Sequence, residues 1–177
     1  MEDVLYSPES ISIDDLRIFS RIAIDVLYSS SYGAEFIKHL ATIALCQGAA
    51  NHYAVTHGYA SRYLDPQKNG VKDIDIWYFF KKIKSKLFHP MWKQHRDLGI
   101  SKFGKSPSDH GYLGRRIDFF GRSIPLYDEE SIDKAICNWL RNGKCKSSAH
   151  YLYQKAVVGL YPDSCLGKII WLNPMLI

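Results

Sequence analysis

Two stretches limit what this chain of 177 residues can become: Lys72-Asp73-Ile74-Asp75-Ile76 and Arg116-Ile117-Asp118-Phe119. Each sets aspartates among apolar, strand-forming residues. In a strand, alternate side chains share a face, so Asp73 and Asp75 project together while Ile74 and Ile76 enter the opposite layer. Asp118 points away from Ile117 and Phe119 by the same rule. Both stretches are apolar enough to lie centrally in a sheet, where an ionised carboxylate is costly unless something positive meets it. Aspartates crowded on one face also repel one another. A hard divalent cation relieves both costs. Mg²⁺ (or Mn²⁺) takes oxygen ligands, usually a few carboxylates plus substrate phosphates, and two-metal phosphoryl transfer is built this way. A lone Asp-x-Asp is as simply a solvated strand edge. The third aspartate in an apolar setting and the nearby cations favour a site with Asp73, Asp75 and Asp118 as metal ligands and catalytic residues.

The flanking pattern predicts a mixture of helices and strands. Ser12-Ile13-Asp14-Asp15 reads as a helix start, with Ser12 as cap and acids in the first turn. Leu16, Phe19, Ala23, Val26 and Leu27 then supply a helical apolar face. A short helix is expected over Ala34–Leu40, and Thr42–Cys46 reads as a buried strand. Gln47-Gly48 ends that strand and opens a helix over Ala49–Val55. Strands are predicted at Val71–Phe80, Arg115–Phe120 and Gly167–Leu172. Helices are predicted at Ser131–Leu140, stopped by Asn142-Gly143, and from Ser147 to about Leu160, ended by Pro162. No strict strand–helix–strand rhythm appears, so an α+β or α/β domain fits, and the expectation is α+β with a mixed sheet flanked by helices. The length suits one domain over 1–177, with residues 1–12 expected to be flexible and 81–112 a basic, partly irregular segment.

Charge is unevenly distributed. The chain has 23 Lys+Arg and 18 Asp+Glu, a net +5, yet residues 81–105 alone hold eight basic residues and one acid. Lys81, Lys82, Lys84 and Lys86 follow the Asp-x-Asp strand, and Trp92 comes soon after. Cations interleaved with aromatics suit single-stranded nucleic acid, through phosphate contact and base stacking. No apolar run approaches the roughly 20 residues needed to cross a bilayer, and MEDVLYSPES lacks the basic and apolar parts of a signal peptide. Cys46, Cys137, Cys145 and Cys165 form no Cys-x-x-Cys pair. Free thiols in a reducing cytoplasm are the expectation. His52 and His57 are five apart, which misses metal-binding helical spacing, so they read as ordinary surface or core residues.

Strand, glycine, helix, Asp-x-Asp strand and later aspartate together resemble the nucleotidyltransferase superfamily, whose fold is that of the polymerase-beta catalytic domain. The matching words are Gln47-Gly48-Ala49, Asp73-Ile74-Asp75-Ile76 and Ile117-Asp118-Phe119, across roughly residues 40–122. Ala49 stands where the family has a small polar residue, and Gly48 lies 25 positions before Asp73, a longer interval than is usual there. The resemblance implies a nucleotidyltransferase-like mixed sheet and transfer of a nucleoside monophosphate from a nucleoside triphosphate to a hydroxyl acceptor. Asp73 and Asp75 would hold the cation on the triphosphate. Asp118 would hold a second cation and take the acceptor's proton. Gly48, Ala49 and Arg116 would contact the nucleotide phosphates. The alternative is a catalytically inactive module on the same fold that binds nucleic acid through Lys81, Lys82, Lys84, Lys86 and Trp92.

Overall fold

A computed structural model of the protein describes residues 9–31, 33–63, 70–71, 73–83, 93–100, 114–143 and 147–177. Helix α1 (Ile13–Ser29) starts where the sequence predicts. The Ser12 hydroxyl accepts from the Asp15 backbone N–H at 3.1 Å, and the Asp15 carboxylate accepts from the Ser12 N–H at 2.6 Å. This reciprocal pair satisfies donors that the first helical turn leaves open. The expected flexibility of residues 1–12 does not extend to its C-terminal part. Ile11 is fully buried in the core, and the Glu9 carbonyl accepts from His52 at 2.8 Å. Residues 1–8 lie outside the described set.

After α2 (Gly33–Phe36) and a 3₁₀ turn (Ile37–His39) come strand β1 (Leu40–Cys46) and helix α3 (Gln47–Thr56). Three strands follow: β2 (Ile74–Lys81), β3 (Lys93–Ile100) and β4 (Gly114–Ile124). Helices α4 (Ile132–Gly143) and α5 (Ser147–Tyr153) precede β5 (Ala156–Tyr161) and β6 (Ile169–Leu172). The six strands form one sheet in the order β3-β4-β2-β1-β5-β6. The β2–β4 pair is parallel and every other pair antiparallel. The protein is therefore an α+β fold with a mixed sheet. Among the described residues, no helix is long and apolar enough to cross a membrane.

Three expectations are corrected. The helix predicted from Ser147 to Leu160 stops at Tyr153, and Ala156–Tyr161 is a strand. Val157-Val158 favours extended backbone, and β5 sits between β1 and β6, where its carbonyls and N–H groups complete two ladders. The basic segment contains strand β3, a polar edge strand paired with β4; charged residues are well suited to an edge. The Asp-x-Asp strand begins at Ile74, so Asp73 lies one residue outside it.

Alternation along the strands builds two apolar layers. Ile43, Leu45, Ile74, Ile76, Tyr78, Phe80, Ile117, Phe119 and Val158 face α1 and α3. Ala44, Cys46, Trp77, Phe79, Ile124 and Val157 face the side covered by α4 and α5. Tyr78 ties the first layer together, its hydroxyl donating to the Ala23 carbonyl of α1 at 2.6 Å. His52 is a core histidine, as one of the sequence readings allows. Its Nε2–H donates to Glu9 O, so Nδ1 must accept, and the Tyr63 hydroxyl is 2.7 Å away. Both contacts are met by the neutral ring.

Two outcomes follow from this packing. Gly159 passes under the turn that returns from β5: a Cβ there would come within 2.2 Å of the Cys165 carbonyl oxygen. Gly159→Ala is expected to lower stability by about 1–3 kcal/mol, read as a drop in the urea midpoint. Burial, with a smaller contribution from His57, holds His52 below its ordinary value, while the Glu9 carbonyl pulls the other way. The unfolded chain then binds a proton at higher pH than the fold does. Stability contributed by neutral His52 is complete above about pH 6.5 and is lost as pH falls through the depressed folded value. Urea midpoints at pH 7.5 and pH 5 should differ more for wild type than for His52→Gln; equal differences would refute this assignment.

Candidate functional site: a carboxylate pair at the sheet centre

One transverse row of residues crosses the whole sheet. Trp171 of β6 pairs with Val157 of β5, and Val157 with Cys46 of β1. Cys46 pairs with Asp75 of β2, Asp75 with Asp118 of β4, and Asp118 with His95 of β3. Directly paired residues of neighbouring strands share a face, so Asp75 and Asp118 stand side by side on the face that carries Cys46 and Val157. Neighbouring strands lie about 4.8 Å apart. Both aspartates are more than nine-tenths buried, at 8% and 7% exposure. Each has interaction partners in the fold.

Strand alternation thus brings two of the three predicted aspartates together. Asp73, half-buried, precedes the strand. Among the described residues, no group of three or more His, Cys, Asp or Glu side chains is arranged to hold a metal ion. The backbone of Arg116 pairs with Asp97, and its side chain lies outside the described residues. Lys84, Lys86 and Trp92 also lie outside them. Lys81 and Lys82 are exposed, but Lys81 ends β2, six residues from Asp75. At about 3.3 Å per residue, that is roughly 20 Å from the carboxylates. Lys81 and Lys82, which follow the Asp-x-Asp strand in sequence, are therefore carried to its opposite end.

Two neighbours of the pair are not legible in the sequence. Cys46 lies beside Asp75 because β1 runs antiparallel to β2. Burial pushes its thiol well up, and the Asp75 charge pushes it further. The thiol therefore stays protonated and is no nucleophile. The second neighbour is aromatic. Trp77 and Phe120 pair across β2 and β4 in the next row on the same face, rings 5.0 Å apart. The Arg122 guanidinium lies 5.7 Å from the Trp77 ring centroid. Their signal was present, since Trp77 is two residues beyond Asp75 and Phe120 two beyond Asp118, but only the pairing of β2 with β4 joins them.

The strand–glycine–helix junction adjoins the same end of the sheet. Cys46 is the last residue of β1 and the N-cap of α3, and no side chain caps the helix. Gln47 adopts φ +60°, the left-handed region that favours glycine. Among the described residues, a Cβ placed on Gly48 would meet nothing within 4 Å, so this backbone is open on that side. Ala49 is buried. The junction is held to β5 by Asn51, whose side-chain oxygen accepts from the Ala156 N–H at 2.7 Å.

Comparison of the chain with protein families, curated proteins and solved structures finds no match.

The left-handed Gln47 makes a measurable outcome. Gln47→Gly removes the steric cost of positive φ, partly offset by the greater freedom glycine has in the unfolded chain. The variant should be as stable as wild type or more stable by up to about 1 kcal/mol. A lower urea midpoint for the variant would contradict this reading of the junction.

Proposed function

We propose that the protein is a divergent, metal-dependent member of the nucleotidyltransferase type, transferring a nucleoside monophosphate from a nucleoside triphosphate to a hydroxyl acceptor. The observation that carries the proposal is the Asp75–Asp118 pair. Two nine-tenths-buried carboxylates are matched in register on one face, beside an uncapped helix start with open backbone at Gly48. The donor set fits Mg²⁺ or Mn²⁺, which take hard oxygen ligands and are commonly held by one or two carboxylates together with substrate phosphates.

In this reading Asp75 and Asp118 would hold the cation, with substrate phosphates completing its shell. When bound, it would neutralise charge developing on the transferred phosphoryl group. The first N–H groups of α3 and the α3 dipole hold triphosphate oxygens at Gly48 and Ala49, an arrangement glycine permits by leaving the backbone open. Asp118 accepts the acceptor's hydroxyl proton. The acceptor oxygen then bonds to the α-phosphorus as the bond to the departing pyrophosphate breaks. Fixed positions and charge supply most of the rate enhancement in such reactions.

A second reading, a non-catalytic nucleic-acid-binding module, is favoured by the exposed cations Lys81, Lys82 and Arg96. Lys84, Lys86 and Trp92 belong to it as well. It predicts binding that needs no metal and falls steeply with salt.

One set of titrations separates the two. A labelled nucleoside triphosphate, with Mg²⁺ or Mn²⁺, is expected to bind wild type and to be lost by Asp75→Asn and Asp118→Asn. Gly48→Ala should weaken nucleotide binding at least tenfold without lowering the melting temperature, because the added methyl meets no atom of the described residues. Wild type that binds neither metal nor nucleotide sinks the enzymatic reading. Single-stranded RNA or DNA bound without metal, weakened by Lys81→Ala with Lys82→Ala and indifferent to Asp75→Asn, would establish the second.

A further inference from the structure

At the other end of the transverse row, β6 forms one wall of a cavity of about 550 Å³. Its remaining walls come from α4, the end of α5 and Pro174 in the turn after β6. The volume lies within the range of small-molecule sites. Trp171 is three strand spacings from Asp75, about 14 Å at ordinary sheet dimensions, so this is a separate place from the carboxylate pair.

The walls select a ligand chemistry. The half-buried Tyr153 ring lies 5.2 Å from that of Trp171, which is itself almost fully buried, while Leu172 and Pro174 add apolar surface. Several polar wall groups are already committed. The Trp171 indole N–H donates to the Tyr153 carbonyl at 2.9 Å. The Cys137 thiol donates to the Ile170 carbonyl at 3.2 Å. Asp133, on the same helix as Cys137, is paired with Lys168. Among the described residues, no carboxylate lines the cavity.

Arg141 is the charged group that remains. Its guanidinium stacks 5.6 Å from the Trp171 ring centroid. A guanidinium over an indole can still offer N–H groups at its rim, in the fork that matches a carboxylate or phosphate. A site with mixed polar and apolar walls, a guanidinium held over an indole and no acid among its described lining is complementary to a flat molecule with one anionic group. We propose that this cavity binds a small planar anion, an aromatic ring bearing a carboxylate or a phosphate, with Arg141 taking the anionic group and Tyr153, Leu172 and Pro174 taking the ring. The inference is independent of nucleotidyl transfer.

The test uses the full chain and the Trp171 indole N–H resonance, assigned with Trp171→Phe. Phenylacetate, phenyl phosphate, benzyl alcohol and inorganic phosphate are titrated separately. At least one of the two aromatic anions should shift the resonance saturably; which binds tighter identifies carboxylate or phosphate as the preferred group. Benzyl alcohol and inorganic phosphate should bind at least tenfold more weakly, since each lacks one half of the ligand. Arg141 is exposed on α4, so Arg141→Gln should fold normally and weaken the preferred anion at least tenfold. Asp75→Asn should leave that affinity unchanged, separating this site from the carboxylate pair. The proposal is overturned if neither aromatic anion saturates the resonance, if benzyl alcohol binds as tightly, or if Arg141→Gln binds as well as wild type.

Discussion

The parallel register of β2 against β4 sets the geometry of the sheet centre. In that register Ile74 meets Ile117 and Ile76 meets Phe119, all fully buried under α1 and α3. Asp75 meets Asp118 on the reverse face as a consequence. A slip of one residue would turn Asp118 into the apolar layer and expel Ile117 and Phe119. Burying side chains of this size is worth about 1.5–3 kcal/mol each, so the apolar face holds the register strongly. The apolar face thereby sets the two carboxylates side by side.

The same sheet carries unlike chemistry along one row. At its centre the pair of aspartates stands next to a protonated, buried thiol and a left-handed residue that opens α3. At its β6 end the row reaches an aromatic wall with a stacked guanidinium. Helices α4 and α5 cover the apolar stretch on this face. The face therefore holds a negative centre and a positive, aromatic margin, separated by core. Backbone strain of the kind seen at Gln47 persists where surrounding structure over-determines it. Here β1 on one side and the Asn51–Ala156 bond on the other do so.

Much of this was legible in the residues. The Ser12 cap, the buried strand ending at Cys46, the glycine opening α3 and the aspartates set among Ile74, Ile76, Ile117 and Phe119 all follow from local rules. Two strands were not legible. Lys93–Ile100 has no apolar alternation, because an edge strand need bury little. Ala156–Tyr161 follows a good helix start at Ser147 and continues its apolar content, so a local reading extends the helix. Val157-Val158 and an interior Gly159 were the contrary signal. Gly159 itself is explained only by the Cys165 carbonyl that crosses it.

The sequence alone determined which side chains share a face within each strand, because that alternation is built into the covalent geometry of extended backbone. It likewise determined the Ser12 cap and the mixture of helices and strands. Partners across the sheet were decided only by tertiary structure. Asp75 lies beside Asp118, with Cys46 on its other side, while Lys81 is carried away to the far end of β2 and Arg141 is set on Trp171. Those placements depend on contacts between residues tens of positions apart, which form when two apolar layers close on the sheet together.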